Sequence, residues 1–396
     1  MARSVLPVST FMAEFYRDLI SRLPRVGTTI FARMSQLAHE TGAINLAQGF
    51  PMFDPDPQLV ERAAHWMRAG ANQYAPLGGE PALCEVIARR IAARDHAHYD
   101  PATEITITVG ATQAIYSAIA AFVHPGDEVV IFEPAYDSYA PAIELHGGRV
   151  VRLRLSPPHY RPDWSALAGV LGPRTRMVIL NTPHNPSARV WSRADLETLD
   201  GMLRDTGVLV LADEVYEHIV FDRARHTSCA ALPGLAERAL VVSSFGKTLH
   251  VTGWKVGYVA APGALTREVR KQHQFNVFSV ATPFQRALAD YLTQHDPAPA
   301  LADFYAARRD CLRMALAGSR FTLLPVDGTF FQPLAYRALS DEPDTAFVER
   351  LAREHGVAAI PVSAFHADGH DEGVIRLCFA RDDATLQAAA QRLCVL

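Results

Sequence analysis

The sequence predicts an α/β protein in which a large domain with an open, mostly parallel sheet is followed by a smaller α+β domain. In the middle of the chain, short apolar runs such as 177–180 and 208–212 alternate with helical segments such as 112–123. Because these runs are apolar on both faces, they suit a parallel sheet that helices cover on both sides. After about residue 283, long helical stretches and shorter strands replace this alternation, which predicts the second domain.

The predicted elements follow in order along the chain. The strands of the large sheet are expected at 105–109, 128–132, 150–155, 177–180, 208–212, 240–243 and 256–260. The smaller domain is expected to contain helices at 283–293 and 301–316, strands at 321–324, 330–334 and 374–380, and a final helix from residue 384. We therefore predict an N-terminal arm and helix at 1–45 that packs on the small domain, a large domain at 46–285 and a small domain at 286–396.

The composition excludes several classes of function. Of the 396 residues, 49% are hydrophobic and 20% are charged, and the net charge of −4 offers no basic surface for nucleic acid. The five cysteines form no disulfide pattern, which favours a cytoplasmic protein. No apolar run is long enough to span a membrane. The sixteen histidines are scattered, so no metal site is expected.

The segment 243–258 points most directly to chemistry. Lys247 follows the apolar run 239–242, and Lys255 lies further along the same segment. A lysine at a dry strand end loses solvation, which lowers its pKa and makes its amine a nucleophile toward an aldehyde. Ser244 and Lys255 suit a phosphate dianion. An aldehyde and a phosphate on one small molecule describe pyridoxal phosphate, whereas the alternative is that both lysines are ordinary surface charges.

Two other strand ends carry residues that suit the same ligand. The helix that opens at Gly110-Ala111-Thr112 can present backbone N–H groups to an anion, although Thr112 can equally serve as a plain N-cap. Tyr136 lies just past a strand, where its ring can stack on a flat heterocycle or simply pack. Each of these features is common in proteins. They indicate a binding site for this ligand only because they occur together.

The loop 181–186 is predicted to be rigid and to fix an amide. It contains two asparagines and two prolines, so Asn185 can hold its side chain against a ligand oxygen; a purely structural turn is the alternative. Proline also lowers the cost of a cis bond. Cis geometry is therefore predicted at Asn185–Pro186 and at Glu133–Pro134, where both loops must turn sharply.

Asp213 ends a predicted buried strand, where a carboxylate is costly without a cationic partner. A protonated pyridine nitrogen is such a partner, and keeping it protonated turns the ring into an electron sink. Tyr216 follows closely and can donate a hydrogen bond to the phenolic oxygen of the same ring. The alternative is that Asp213 serves as a helix cap.

Taken in order, these motifs resemble those of the fold type I pyridoxal-phosphate aminotransferases. They are Asn-x-x-x-Asn-Pro at 181–186, Asp-x-x-Tyr at 213–216 and Ser-x-x-Lys at 244–247. The resemblance runs from about residue 44 to about residue 379, and it is strongest to bacterial methionine aminotransferases and to the kynurenine and glutamine aminotransferases. It implies a homodimer that uses pyridoxal phosphate to exchange the amino group of an amino acid with a 2-oxo acid in a ping-pong cycle.

The resemblance also implies a role for each cofactor-binding residue. Lys247 would bond to the cofactor aldehyde and later carry the proton that leaves the substrate, so it is the central catalytic residue, with Asp213 and Tyr216 assisting. The cofactor ring would contact Asp213, Asn185, Tyr216 and Tyr136, and its phosphate would contact Ala111, Thr112, Ser244, Lys255 and Tyr74 of the partner subunit.

Substrate contacts are implied in the same way. Arg376 would bind the α-carboxylate in a bidentate manner, with help from Asn185 and the backbone of Gly49. Phe31 and Phe278 of the partner subunit would line the side-chain pocket. That lining, and the lack of a second substrate-facing arginine, favour methionine, aromatic or glutamine side chains over aspartate.

Two other functions stay open. The nearer one is a β-eliminating lyase acting on cysteine conjugates, because the same carbanion can expel a β-leaving group; its products would be pyruvate and ammonia. Outside catalysis, the fold can serve a regulator that senses the cofactor or an amine. Such regulators carry an added DNA-binding domain, and the residues before Asn45 are too few for one and lack a basic face.

Overall fold

A seven-stranded sheet forms the centre of the computed structural model, which describes residues 20–24 and 26–396. After a short strand β1 (Ile44–Asn45), the strands of this sheet are β2 (Ile105–Thr108), β3 (Glu128–Glu133), β4 (Arg149–Arg154), β5 (Thr175–Asn181), β6 (Leu209–Asp213), β7 (Ala239–Ser244) and β8 (Gly257–Ala260). All the strands predicted for the large sheet are present, and their ends differ from the prediction by one or two residues.

The order of the strands across this sheet is β2-β8-β7-β6-β5-β3-β4. The neighbours from β7 to β4 pair in parallel, whereas β8 is antiparallel to both β7 and β2. The prediction of a mostly parallel α/β sheet is therefore confirmed. The connection between β7 and β8 contains no helix longer than about one turn, whereas a parallel neighbour usually needs a crossover through a longer helix.

The helices connect and cover the strands. In chain order they are α1 (Ile30–Thr41), α2 (Pro57–Arg68), α3 (Pro81–Asp95), α4 (Gly110–Phe122), α5 (Tyr139–Leu145), α6 (Trp164–Val170), α7 (Arg193–Leu203), α8 (Pro233–Ala236), α9 (Phe245–Thr248), α10 (Gly263–Asn276), α11 (Thr282–Gln294), α12 (Ala298–Ala315), α13 (Asp344–Glu354) and α14 (Asp383–Leu393). In the part of the chain that the structure describes, no helix combines the length and the apolar character needed to cross a bilayer.

Alternate residues of the strands pack in separate hydrophobic cores. Val130 and Val178 belong to one core cluster, whereas Val129 and Ile179 belong to another. Since successive side chains of a strand point to opposite faces, these clusters lie on the two faces of the sheet. This explains why the predicted strands are apolar throughout instead of alternating with polar residues.

The C-terminal part of the chain forms a smaller antiparallel sheet. Its four strands are ordered β12-β13-β10-β9, from β9 (Thr322–Leu323), β10 (Phe331–Ala335), β12 (Ile360–Pro361) and β13 (Val374–Cys378), and a separate pair joins β1 to β11 (Val357–Ala358) in parallel. A further hydrophobic core surrounds these strands and includes Met34 and Leu37 of α1.

The division of the chain into an arm at 1–45, a large domain at 46–285 and a small domain at 286–396 stays a prediction. The packing of α1 in the core of the smaller sheet supports it. Residues 1–19 and Arg25 of the predicted arm lie outside the described residues.

The parallel strands end at one edge of the large sheet, and the residues predicted to bind the cofactor lie together at that edge. Asn181 pairs with Asp213 across β5 and β6, and Asp213 pairs with Val242 across β6 and β7. The loops that follow these strands contain the predicted cis bonds, and both Glu133–Pro134 and Asn185–Pro186 are cis. This edge positions the site described next.

Candidate active site

A cavity of about 310 Å³ lies at this edge of the sheet, between the two sheets of the molecule. The predicted site residues that line it are Phe31, Gly49, Ala111, Thr112, Tyr136, Asn185, Asp213, Tyr216, Ser244, Lys247, Lys255 and Arg376. The two predicted residues that do not line it are Tyr74 and Phe278, which are 82% and 41% exposed on the surface of the chain. Their rings pack edge to face with centroids 5.3 Å apart.

Lys247 lies in α9, the single helical turn that follows β7. Ser244 begins this turn, because its hydroxyl accepts the N–H of Gly246 at 3.2 Å. The Lys247 ammonium donates to the carbonyl oxygen of Gly49 at 2.8 Å. Burial lowers the pKa of Lys247 to about 8, and the nearby charges of Arg376 and Lys255 act in the same direction. An amine with this pKa is partly unprotonated near neutral pH, which suits a nucleophile or a proton carrier.

Asp213 is buried at the end of β6, and burial raises the pKa of its carboxyl to about 6. The hydroxyl of Tyr139 donates to its Oδ2 at 2.6 Å, and the N–H of Val215 donates to its Oδ1 at 3.4 Å. Both of these donors are neutral groups, so neither balances the negative charge of the ionised carboxylate. A cationic ligand atom would therefore stabilise its ionised form.

Tyr139 was not predicted from the sequence. It begins α5 and follows Tyr136 by less than one helical turn, so the two rings lie near each other with centroids 5.7 Å apart. Its hydrogen bond to Asp213 joins residues 74 positions apart, so the sequence carries no local signal for it.

Tyr216 lines the cavity, and its ring packs on Phe330 and Phe331 at centroid distances of 5.2 and 5.9 Å. Burial raises its pKa well above the usual range, so the phenol keeps its proton. The Lys247 ammonium lies 5.8 Å from the centre of the Tyr216 ring. Tyr216 can therefore act as a hydrogen-bond donor next to the amine, and its predicted hydrogen bond to a cofactor oxygen stays a prediction.

Arg376 lies in β13 and is fully buried. One of its terminal nitrogens donates to the side-chain oxygen of Asn185 at 2.5 Å, and the other donates to the carbonyl of Ala47 at 3.1 Å. Burial lowers the pKa of Arg376 to about 10, and its Nε has no hydrogen-bond partner among the described residues. A buried guanidinium with an unsatisfied donor favours an anionic ligand.

Aromatic rings surround this guanidinium. The distances from its central carbon to the ring centres are 3.9 Å for Phe331, 5.3 Å for Phe365 and 5.5 Å for Phe31. The Gln48 side chain fixes Phe31 by donating to its carbonyl oxygen at 3.2 Å. Phe331, Phe365 and Gln48 were not predicted, because they are ordinary residue types that come together only through the tertiary fold.

The start of α4 forms the opposite end of the cavity. The helix begins at Gly110, so the alternative that Thr112 is its N-cap is wrong. Gly110 has a φ of +68°, and a Cβ built there would lie 3.1 Å from the Lys255 ammonium. Glycine thus lets the lysine approach the positive end of the helix dipole. Together with Ser244, this end of the cavity suits a dianion such as a phosphate.

Comparisons with known proteins agree on one family. Residues 41–393 match the family model of the class I and II aminotransferases. Methionine aminotransferase from Escherichia coli is 53% identical over 94% of this chain and 97% of its own. A Mycobacterium tuberculosis protein named as a probable N-succinyldiaminopimelate aminotransferase is 39% identical over 95% of this chain and 98% of its own. The structure of YbdL from Escherichia coli, a methionine aminotransferase, has a TM-score of 0.94 at 52% identity and covers 96% of this chain and 99% of its own.

Proposed function

The chain belongs to the class I and II aminotransferases, and we propose that it transfers the amino group of methionine, or of an amino acid with a similar apolar or aromatic side chain, to a 2-oxo acid. One observation carries this choice of substrate. Arg376, Lys247 and Lys255 are the cationic residues that line the cavity of the described chain. Lys247 and Lys255 have other proposed roles, so Arg376 is the cation left to bind the substrate. It can bind one carboxylate, the α-carboxylate. Phe31 and Phe331 leave an apolar wall for the side chain.

The family depends on pyridoxal phosphate in general, and we propose this cofactor for the chain. The residues of the cavity fit it at three points: Lys247 for the aldehyde, Asp213 for the ring nitrogen, and the start of α4 with Ser244 and Lys255 for the phosphate. The unpaired buried carboxylate of Asp213 supports this fit, because a protonated pyridine nitrogen supplies the missing cation. When bound, the cofactor provides the electron sink that makes the α-hydrogen of an amino acid removable.

The proposed roles of the residues follow from their environments. Arg376 binds the α-carboxylate and fixes the orientation of the substrate. Lys247, whose burial lowers its pKa to about 8, takes up the proton that leaves the α-carbon. Asp213 keeps the ring nitrogen protonated, and Tyr139 holds the Asp213 carboxylate in place through its 2.6 Å hydrogen bond.

We also propose a homodimer in which each chain completes the site of the other. Tyr74 and Phe278 are large, exposed and packed together outside the cavity of their own chain, which supports a role in the partner's site. In the dimer, Tyr74 of the partner subunit reaches the phosphate, and Phe278 of the partner subunit reaches the side-chain pocket. The five free cysteines of each chain support a cytoplasmic setting.

The experiment that tests the proposed function follows the cofactor by absorbance. Purified protein reconstituted with pyridoxal phosphate is mixed with methionine in the absence of any 2-oxo acid. We expect the visible band to shift to that of the aminated cofactor and to return when a 2-oxo acid is added. If the band does not change when amino acids are added, the protein binds the cofactor but does not transaminate them. If no band forms at all, the whole proposal is refuted. Aspartate ranked above methionine and phenylalanine in kinetics would overturn the assignment of the substrate class.

Product analysis distinguishes the β-lyase alternative. With a cysteine conjugate as substrate, elimination yields a thiol, pyruvate and ammonia, whereas transamination yields a 2-oxo acid that keeps the whole carbon skeleton and its sulfur substituent. We expect the second outcome to dominate; release of thiol and pyruvate as the main products would favour the β-lyase.

The pKa of Lys247 predicts how capture of the cofactor depends on pH. Only the unprotonated amine attacks an aldehyde, so its fraction rises about tenfold for each pH unit below the pKa and levels off above it. We expect the rate at which the cofactor-free protein develops its visible band to rise steeply up to about pH 8 and to reach a plateau above about pH 9. A rate that keeps rising to about pH 10, as for an ordinary lysine, would contradict the lowered pKa.

Tyr139→Phe tests the support of Asp213. The variant removes one donor from the buried carboxylate but keeps the packing of the ring, so we expect kcat/KM for methionine to fall about 3- to 10-fold. The variant is also expected to release the cofactor more readily on dialysis. Tyr116→Phe is the matched control, because Tyr116 lies in α4 and its ring packs on His146 at 5.2 Å, away from Asp213. Equal activity of the two variants would exclude the role of Tyr139.

A further inference from the structure

The turn that follows β6 carries a buried glutamate to which the proposed mechanism assigns no role. Glu217 comes directly after Tyr216 in this turn, and only 3% of its side chain is exposed. It lines a second cavity of about 260 Å³, and Ser244 lines both this cavity and the one proposed to hold the cofactor. Glu217 therefore lies next to the proposed cofactor site but is not one of the residues that line it.

Both carboxylate oxygens of Glu217 are bonded to neighbouring elements. Oε1 accepts from the hydroxyl of Ser243 in β7 at 2.7 Å and from the hydroxyl of Tyr258 in β8 at 3.4 Å. Oε2 accepts from the guanidinium of Arg94 in α3 at 2.5 Å. Since β7 and β8 follow β6 in the order of the sheet, one carboxylate joins its own turn to the next two strands and to a helix.

Each of the three strands that meet at this carboxylate is close in sequence to a residue proposed to hold the cofactor. β6 ends in Asp213. Ser243 lies in β7, which leads through α9 to Lys247. Tyr258 lies in β8, just after Lys255. A displacement of the carboxylate would therefore move Asp213, Lys247 and Lys255 relative to one another.

The pairing of β7 with β8 extends this contact to the start of α4. Ser243 pairs with Tyr258, and Ser244 pairs with Gly257. A Cβ built on Gly257 would lie 2.7 Å from the carbonyl oxygen of Ser243 and 2.9 Å from the backbone nitrogen of Ala111. The backbone of β8 thus packs directly on the helix end proposed to bind the phosphate, with no side chain between them to absorb a displacement.

The network keeps the buried carboxylate ionised. Burial alone would raise the pKa of Glu217, but the charge of Arg94 and the hydrogen bond from Ser243 lower it to about 2. Asp95 holds Arg94 in turn, because its two oxygens accept from the guanidinium at 2.9 and 2.5 Å. Hydrogen bonds to an ionised acceptor are stronger than those between neutral groups, so Glu217 is a firm anchor for its donors.

We infer that Glu217 is a positioning residue for the cofactor site. Through its bond to Ser243, supported by the longer contact with Tyr258, the carboxylate holds β7 against the turn after β6. It thereby sets the distance between Asp213, which would hold the cofactor ring, and Lys247, which would capture the aldehyde. The inference rests on the proposed function, because it concerns how the chain holds the proposed cofactor. The alternative is that the network only stabilises the fold.

Glu217→Gln separates these two roles. The amide keeps the size of the side chain but loses the charge and offers one acceptor oxygen where the carboxylate offers two. Glu128→Gln is the matched control. Glu128 is also buried and accepts from Arg149 and Arg174 at 2.7 and 2.8 Å, but it begins β3, at the opposite end of that strand from the site.

The measurements are the Kd for pyridoxal phosphate, obtained by titrating the cofactor-free proteins, the circular dichroism of the visible band at saturation, and the Tm. An achiral chromophore gains circular dichroism only from fixed asymmetric surroundings, so this signal reports how firmly the site holds the cofactor. We expect Glu217→Gln to raise Kd about 5- to 20-fold and to weaken the dichroism per bound cofactor. Glu128→Gln should lower only the Tm. A Glu217→Gln protein with a lower Tm but with the wild-type Kd and dichroism would overturn the inference.

Steady-state kinetics at saturating cofactor provide a further readout. Arg376, which would bind the substrate carboxylate, lies in β13 of the other sheet and has no contact with Glu217. We therefore expect Glu217→Gln to lower kcat for methionine while KM stays near the wild-type value. A rise in KM at constant kcat would contradict a role in placing Asp213 and Lys247.

Ser243→Ala and the double variant show whether Glu217 acts through Ser243. If it does, the double variant should bind the cofactor about as weakly as Glu217→Gln alone, whereas losses that multiply would refute this route. Should Glu217→Gln fail to fold, Ser243→Ala decides by itself: we expect its Kd to rise about 3- to 10-fold, and an unchanged Kd would overturn the inference.

Failure of the proposed function would be recognised separately. A wild-type protein that binds the cofactor but does not transaminate would refute the proposed activity alone, and the Kd values would still decide the role of Glu217. A wild-type protein that forms no visible band would refute the proposed cofactor and this inference together.

Discussion

Lys247→Ala is expected to abolish transamination while the protein still folds. The variant loses both the nucleophile that captures the cofactor and the carrier of the α-proton, so we expect kcat to fall by at least about 10⁴-fold. Stability should stay equal or rise, because the substitution removes an amine whose charged form is disfavoured by burial. The measurements are single-turnover absorbance with methionine and a thermal melt.

Lys271→Ala is the matched control for this substitution. Lys271 is exposed in α10 and pairs with Glu268 at the surface, so its loss should leave activity and the visible band unchanged. Activity of Lys247→Ala above about one-tenth of wild type would contradict the assignment of Lys247, since no other lysine is in a position to replace it within the cavity of the described chain except Lys255.

Arg376→Ala is expected to have the second-largest effect. Removal of the guanidinium leaves the substrate α-carboxylate without its buried partner, a loss of about 3–5 kcal/mol that corresponds to about 100- to 4,000-fold in kcat/KM. The loss should be similar for methionine and phenylalanine, because both present the same carboxylate. The cofactor band before substrate addition should remain, since Arg376 has no proposed contact with the cofactor.

Arg376→Lys separates charge from geometry. Lysine keeps the positive charge but lacks the planar fork that bonds a carboxylate through two nitrogens, so we expect only partial recovery. Arg353→Ala is the control at an exposed position of α13. A primary amine without a carboxylate should react at equal rates with wild type and Arg376→Ala; an equal loss with such an amine would instead indicate that the variant has collapsed the pocket.

The positions of the strands, and the edge of the large sheet at which the site lies, could be predicted because both depend on local sequence. Runs such as β5 and β6 are apolar on both faces, and most of the residues predicted to bind the cofactor lie at or just beyond the end of such a run, as Asp213 does at the end of β6. The carboxyl ends of parallel strands meet at one edge of a sheet. The sequence alone therefore predicts that Asn185, Asp213 and Lys247 lie in one site. The antiparallel orientation of β8 was not predicted, since its sequence resembles that of its neighbours.

The residues that support the site could not be predicted because they come from distant parts of the chain. Tyr139 reaches Asp213, and Glu133 reaches His366 in a loop more than two hundred residues later. Neither pair leaves a periodic pattern or a motif in the sequence. The scattered histidines gave no sign of these contacts in the sequence, whereas in the structure His366 faces two carboxylates.

The pairing of β1 with β11 has a consequence for how the protein is made. The carbonyls of Asn45, Gln48 and Phe50 accept from the guanidinium of Arg381, so the segment that carries Gly49 is anchored close to the C-terminal end of the chain. During synthesis the ribosome completes the strands of the large sheet before Arg381 emerges. Domains begin to fold as they are synthesised. A nascent chain can thus assemble the edge of the large sheet that holds Asp213 and Lys247 early, while the segment that carries Gly49 is anchored only after Arg381 has emerged.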